Sequence, residues 1–236
     1  MPTKLSIRLV LRDAIMLYGR NWRIVLPVAI AAAFVPLAIE VFIAHHLPDG
    51  WASLLTTVVD TLATVFFAGA AEELVHRWVV GERRIALTGV LARVPPVILR
   101  LGLVSVLAAV GTILGVVLLV VPGLVLLSWW ALVGPVVVAE RPGILKTFRR
   151  SRQLVRGNAW RVLAIMLGAE IVALIIGTLI SAVFQALGDK PDEPVALALG
   201  EAITLPLEGL AVPVMYWRLR AIEDQREADA IEADAA

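Results

Sequence analysis

The sequence predicts an all-α fold: a polytopic membrane helical bundle of six transmembrane helices, arranged as three parallel hairpins, each preceded by a cytoplasmic interfacial helix. Three observations predict it. Sixty per cent of the residues are apolar and the mean hydropathy is +0.88, which a water-soluble domain of 236 residues could carry only by exposing large apolar patches. The apolar residues fall into six runs of roughly spanning length. The basic residues are so segregated between those runs that one side of the membrane receives all but one of them.

A bilayer core about 30 Å thick needs roughly 20 apolar residues in a helix, because every backbone polar group must be paired within the segment. The first span, Ile24 to Leu47, follows a basic amphipathic stretch, Leu5 to Tyr18, that sets Arg8 and Arg12 among Leu5, Leu9, Leu11, Ile15 and Tyr18. It is longer than a signal-peptide core and lacks a small-residue cleavage pattern, so it is read as retained. The second span is Ser53 to Val80. A short basic stretch, Arg83 to Arg93, leads through Pro95-Pro96 into the third, Val97 to Val120. The fourth, Leu124 to Ala139, is short and is separated from the third only by Pro122-Gly123, which predicts a tight hairpin in preference to a re-entrant element. The fifth, Val162 to Leu187, follows the amphipathic stretch Ile144 to Arg156, and the sixth is Val195 to Trp217. Residues 1–222 thus form a single membrane domain, and 223–236 an acidic tail expected as a solvated or frayed helical end.

With both termini in the cytoplasm, the segments 1–23, 77–100, 140–161 and 218–236 lie inside and leave only Lys190 outside. The reverse orientation would translocate nearly every cation, so the positive-inside rule sets the topology. Trp22, Trp78, Trp160 and Trp217 then fall at cytoplasmic span ends and Trp51 at the outer turn, as an aromatic belt. Gly19 to Arg23 before the first span and Gly157 to Arg161 before the fifth share Gly-x-x-Trp-Arg, a weak internal repeat. All three hairpins enter from the same side, so the repeats are parallel, whereas many secondary transporters use inverted ones.

The stretch from Leu119 to Ile165 resembles a bacterial family of multi-span membrane domains found alone or fused to glycerophosphodiester phosphodiesterases. The elements that carry the resemblance are the turn Val121-Pro122-Gly123-Leu124, the acidic span end Glu140, the basic helix Ile144 to Arg156, and the entry Gly157-Asn158-Ala159-Trp160-Arg161. The resemblance implies the topology and a bacterial inner-membrane home. It implies no phosphodiesterase activity, since that chemistry belongs to a separate soluble barrel with clustered acidic and histidine ligands, for which this chain has no room.

Two sets of residues stand out as candidate sites. The interfacial helix presents Lys146, Arg149, Arg150, Arg152 and Arg156, five cations each worth about 1 kcal/mol against an anionic leaflet. These predict contact with membrane lipids through anionic head groups at the cytoplasmic face, or docking of a membrane or cytoplasmic protein partner. Nucleic acid is not expected, because the stretch holds only Phe148 as an aromatic, on its apolar side. The second set is the intramembrane carboxyls Glu170, Glu201 and Glu208, with Glu40 and Asp60 nearer the outer surface. They read either as a proton or cation site of a coupled permease, or as carboxyls that hydrogen-bond across the bundle or snorkel.

Other features read as structural. His45 and His46 with Glu40 and Asp49 are an interfacial cap, because adjacent histidines face different sides of a helix; no metal site is expected. His76 is placed to pair with Glu72 at i, i+4. Gly111 and Gly115 form a small-xxx-small surface for close helix approach, and Pro27, Pro36, Pro206 and Pro213 are candidate kinks. The chain has no cysteine, no phosphate-binding glycine loop and no nucleophile-elbow serine, so the expected class is a non-enzymatic membrane protein without a cofactor.

Overall fold

Backbone that cannot pair with water closes its hydrogen bonds internally, and nearly all of the chain is helical. The computed structural model describes residues 4–46, 49–82, 87–91, 95–118, 120–186 and 193–234. Along these run α1 (Ile7–His46), α2 (Asp49–Val79), α3 (Leu87–Leu91), α4 (Pro95–Leu118), α5 (Val120–Trp130), α6 (Val133–Glu140), α7 (Ile144–Val155), α8 (Ala159–Ala186) and α9 (Glu193–Asp234). Four stretches among the described residues are long and apolar enough to cross a bilayer: Ile7–Ile43, Val121–Glu140, Ala159–Phe184 and Ala198–Ala230. α2 and α4 occupy the predicted second and third spans with 31 and 24 helical residues, but are not among those four.

The first amphipathic stretch and the first span are one helix bent at Asn21, whose φ of −115° and ψ of 21° leave the helical region. Its amide Nδ2 donates to the Leu17 carbonyl at 3.1 Å, serving an acceptor near the bend. The second copy of the repeat breaks completely. Gly157 at φ +84° reverses the chain, and Asn158 Oδ1 accepts from the Leu5 amide at 3.0 Å, which ties the amino-terminal segment to the α7–α8 turn. The third basic stretch is only the five-residue α3 among the described residues, with 83–86 and 92–94 outside them.

Close approaches fix the directions of the helices. A Cβ added to Gly111 would lie 2.4 Å from the Trp130 ring, and one on Gly115 would lie 3.1 Å from Gly123 Cα, so α4 and α5 are antiparallel and the small-residue surface is used as its spacing suggests. The turn, however, is not at Pro122-Gly123. Both lie in the first turn of α5, where proline's missing N–H is not needed, and residue 119, between α4 and α5, lies outside the described residues. The predicted fourth span is also divided, with a break at Ala131–Leu132 between α5 and α6. α9 runs against α1, which it meets through Arg218 and Asp13 at one end and through Ala198, Ala202 and Ala33 toward the other.

The main core holds Leu5, just before α1, with Leu17, Leu74, Leu154, Ile165, Leu210, Tyr216 and Leu219 from α1, α2, α7, α8 and α9, close to the α7 end of the bundle. Away from that end, Ile171, Leu174, Ile175, Leu179 and Val183 of α8 and Val35, Val41 and Phe42 of α1 are exposed. Such a mantle of apolar side chains suits contact with lipid.

Candidate functional site

α7 lies across the end of the bundle because the chain is turned sharply on both sides of it. α6 ends at Glu140 with Arg141 in the left-handed region (φ 50°, ψ 38°), and Gly143 enters α7 in an extended conformation. One face of α7 is buried through Thr147, Ser151, Leu154 and Val155, and Phe148 meets Trp130 edge-on at 5.2 Å. Ser151 repairs the α5–α6 break. Its Oγ donates to the Trp129 carbonyl at 2.7 Å and accepts from the Leu132 amide at 3.2 Å, pairing backbone groups around the break.

The five predicted cations of α7 divide into two roles. Arg150 turns toward the bundle. Its Nε donates to both Glu140 carboxylate oxygens at 3.1 Å, and its Nη1 and Nη2 donate to Glu223 Oε1 and Oε2 at 2.8 and 2.6 Å. Tyr216 OH donates to Glu140 Oε1 at 2.9 Å and accepts from Arg220 Nη1 at 3.2 Å, completing a network across α6, α7 and α9. The Glu223 pairing first, and the Glu140 pairing after it, raise the Arg150 pKa above the usual guanidinium range, against an opposing effect of burial. Of the predicted lipid-binding set, Arg150 is thus the member that two carboxylates hold.

Arg149, Arg152 and Arg156 take the other role. With Gln153 and with Trp129 of α5 they line a cavity of about 380 Å³. The Arg152 guanidinium lies 4.0 Å from the centre of the Trp129 ring, a cation–π contact that fixes its position. No carboxylate lines this cavity, and among the described residues none of the three arginines makes an ion pair. Lys146 is exposed on the same helix without lining the cavity.

The carboxyls expected within the membrane are close enough to interact electrostatically and line neither the α7 cavity nor an apolar cavity between α1 and α2. Glu208 is half-buried and within electrostatic reach of Glu170 and Glu201, both exposed, and Glu201 is within reach of Asp60. That apolar cavity, about 630 Å³, is lined by Pro27, Pro36, Ile39, Leu62 and Phe66 among others. Among the described residues no group of acidic and histidine side chains is placed to hold a metal ion. The side chains of His45, His46 and Asp49 lie outside the described residues.

The expected His76–Glu72 pair is not made. His76 stacks on Trp217 at 5.4 Å, its buried Nδ1 has no hydrogen-bond partner, and it is Glu73 that pairs, with Arg77 at 2.9 Å. The stacking turns the imidazole toward α9 and away from its own helix. Of the five tryptophans of the expected belt, Trp78 and Trp217 are half-buried against the core, and Trp22, Trp51 and Trp160 are exposed.

Sequence reasoning missed Trp129, Ser151, Tyr216 and Glu223 as parts of the site, and Asp13 as the partner of Arg218 (Nε to Oδ2, 2.9 Å). Asp13 carried a signal, being the sole acidic residue before Glu40 in a strongly basic segment. Residues 84–215, more than half of the chain, match the family described as "Domain of unknown function (DUF7847)". No curated protein and no solved structure matches the chain.

Proposed function

We propose, for a chain that belongs to this family of domains of unknown function, a role as a non-enzymatic integral membrane protein that engages anionic lipid through the outward cationic face of α7. The observation that carries the reading is the division of labour on that helix. Arg150 is consumed by Glu140 and Glu223, whereas Lys146, Arg149, Arg152 and Arg156 are exposed and have no carboxylate partner among the described residues. A basic amphipathic helix with one face built into the protein and the other left charged suits a surface of anionic head groups. A membrane or cytoplasmic protein bearing acidic residues is the other partner such a face accepts.

The setting proposed is a bacterial inner membrane crossed six times, by α1 beyond Asn21, α2, α4, α5 with α6, α8 and α9, with both termini and α7 cytoplasmic. The charge asymmetry supports it, as do the contacts that gather the basic segments at the α7 end: Leu5 with Asn158, Asp13 with Arg218, Arg100 with the Arg141 carbonyl and Arg150 with Glu223. Because the chain has no native cysteine, single replacements report cleanly. A membrane-impermeant maleimide added to intact cells is expected to label Trp51→Cys and to reach Leu145→Cys only after the membrane is opened. The reverse pattern would invert the topology.

The lipid reading is tested on lipid carried through purification. The fourfold variant K146Q/R149Q/R152Q/R156Q is expected to retain several-fold less anionic lipid than wild type, since each cation is worth about 1 kcal/mol at an anionic surface. An unchanged anionic fraction in the folded variant would overturn the reading.

A further inference from the structure

Resting on the anionic-lipid reading of α7, we propose that the cavity beneath Arg149, Arg152 and Arg156 is a binding site for a phosphomonoester, either the terminal phosphate of a lipid head group or a free phosphate ester. A general anionic surface asks only for exposed charge. This cavity is more specific than that. Positions 149, 152 and 156 recur at three- and four-residue spacing, so α7 delivers three guanidiniums to one face, and α5 closes the cavity with Trp129.

Three like charges around about 380 Å³ repel one another, and no carboxylate among the described residues lines the cavity although two carboxylates hold Arg150 one residue away. The uncompensated charge is complementary to an anion of more than one unit. Arg152, held over Trp129, presents its N–H edge without first having to be ordered. Gln153 adds an amide able to donate or accept. The volume exceeds that of a bare ion and falls in the range of small-ligand pockets.

The count of donors selects the class of ligand. A phosphomonoester carries close to two charges near neutral pH and offers three strongly accepting oxygens, one for each guanidinium fork. A phosphodiester head group has a single charge and two such oxygens, so one arginine would be left without a partner. Arg–phosphate pairing is charge-assisted and often bidentate, and an unmatched arginine forfeits that contribution.

The test is competitive loading of the full chain, purified in mild detergent, with phosphatidic acid and phosphatidylglycerol of the same acyl chains, the bound lipid being counted by native mass spectrometry. Wild type is expected to hold one phosphatidic acid in preference to phosphatidylglycerol by about tenfold. R152Q and R156Q bring the ratio near one, while R8Q, an exposed cation on α1 outside the proposed lipid-binding face, keeps it. Added inorganic phosphate separates the sources: displacement of the lipid shows that a free phosphate ester suffices, and resistance shows that the lipid-borne group is held. Where R152Q does not fold, R149Q, an exposed position on the same cavity, takes its place. Equal retention of the two lipids by wild type overturns the phosphomonoester site and leaves the anionic-lipid reading intact. A preference that survives R149Q/R156Q places the site elsewhere and overturns the proposal.

Discussion

Arg150→Met is expected to lower the stability of the folded protein by about 2 kcal/mol, measured by denaturant or thermal unfolding in detergent. The side chain bridges two carboxylates on different helices, Glu140 at the end of α6 and Glu223 on α9, and removing it leaves both facing each other with only Tyr216 still donating to one of them. Loss of one partner of a fully buried ion pair costs about 3–5 kcal/mol, and exposed pairs are worth about 0–1. The three side chains here are 27, 22 and 30 % exposed, which places the loss between those limits.

Arg150→Lys should recover less than half of the loss, because an ammonium is a point charge that cannot fork to two carboxylates at once. In a double-mutant cycle, Arg150→Met with Glu223→Gln should show a coupling of about 1 kcal/mol, and strict additivity would refute the bridge. The sign of the pH dependence follows from the raised pKa of Arg150. A cation whose pKa is raised by folding contributes its full stabilisation below the unfolded value and loses it only as pH climbs through the folded one. Both lie in or above the ordinary guanidinium range, so this bridge adds no pH dependence through neutrality.

Gly209→Ala is the second large effect expected, a net loss of about 1–2 kcal/mol where the same exchange in an ordinary helix interior would gain about 1. A Cβ at this position would lie 2.4 Å from the edge of the Phe67 ring, and Phe67 is itself 2 % exposed in the core between α2 and α9. An aromatic ring packed on all sides cannot swing aside as the tip of a lysine would, so the helices must separate. Gly168→Ala on α8 is the internal control, since a Cβ there meets nothing within 4 Å and should be neutral or stabilising. Shortening the obstacle with Phe67→Leu in the Gly209→Ala background should restore part of the stability. If Gly209→Ala alone matches the control, the close approach of α2 and α9 is wrong.

The helical class and four long apolar segments were legible in the sequence, because hydropathy acts through composition and short-range spacing. What was not legible depends on rotation and on distant partners. The five cations of α7 are alike in sequence, and only contacts with residues ten and 73 positions away separate Arg150 from Arg149, Arg152 and Arg156. Glu223 read as part of a solvated tail because nothing local says that α9 passes Arg150. Pro122-Gly123 read as a turn because the pair breaks helices in their interiors, but at a first turn proline is permitted, so the pair marks the start of α5 instead of the reversal. His76 was assigned to a neighbour on its own helix, and the stacking with Trp217 prevailed.

α9 is a helix of 42 residues, roughly 63 Å of rod at 1.5 Å per residue, against a hydrocarbon layer of about 30 Å. Its two prolines, Pro206 and Pro213, both precede the Arg150 clamp, and the stretch beyond Glu223 runs on without another, exposed, for roughly 16 Å. That overhang carries Glu227, Asp229 and Glu232, all exposed, so α9 continues past the Glu223 contact as an acidic rod rather than ending at the bundle.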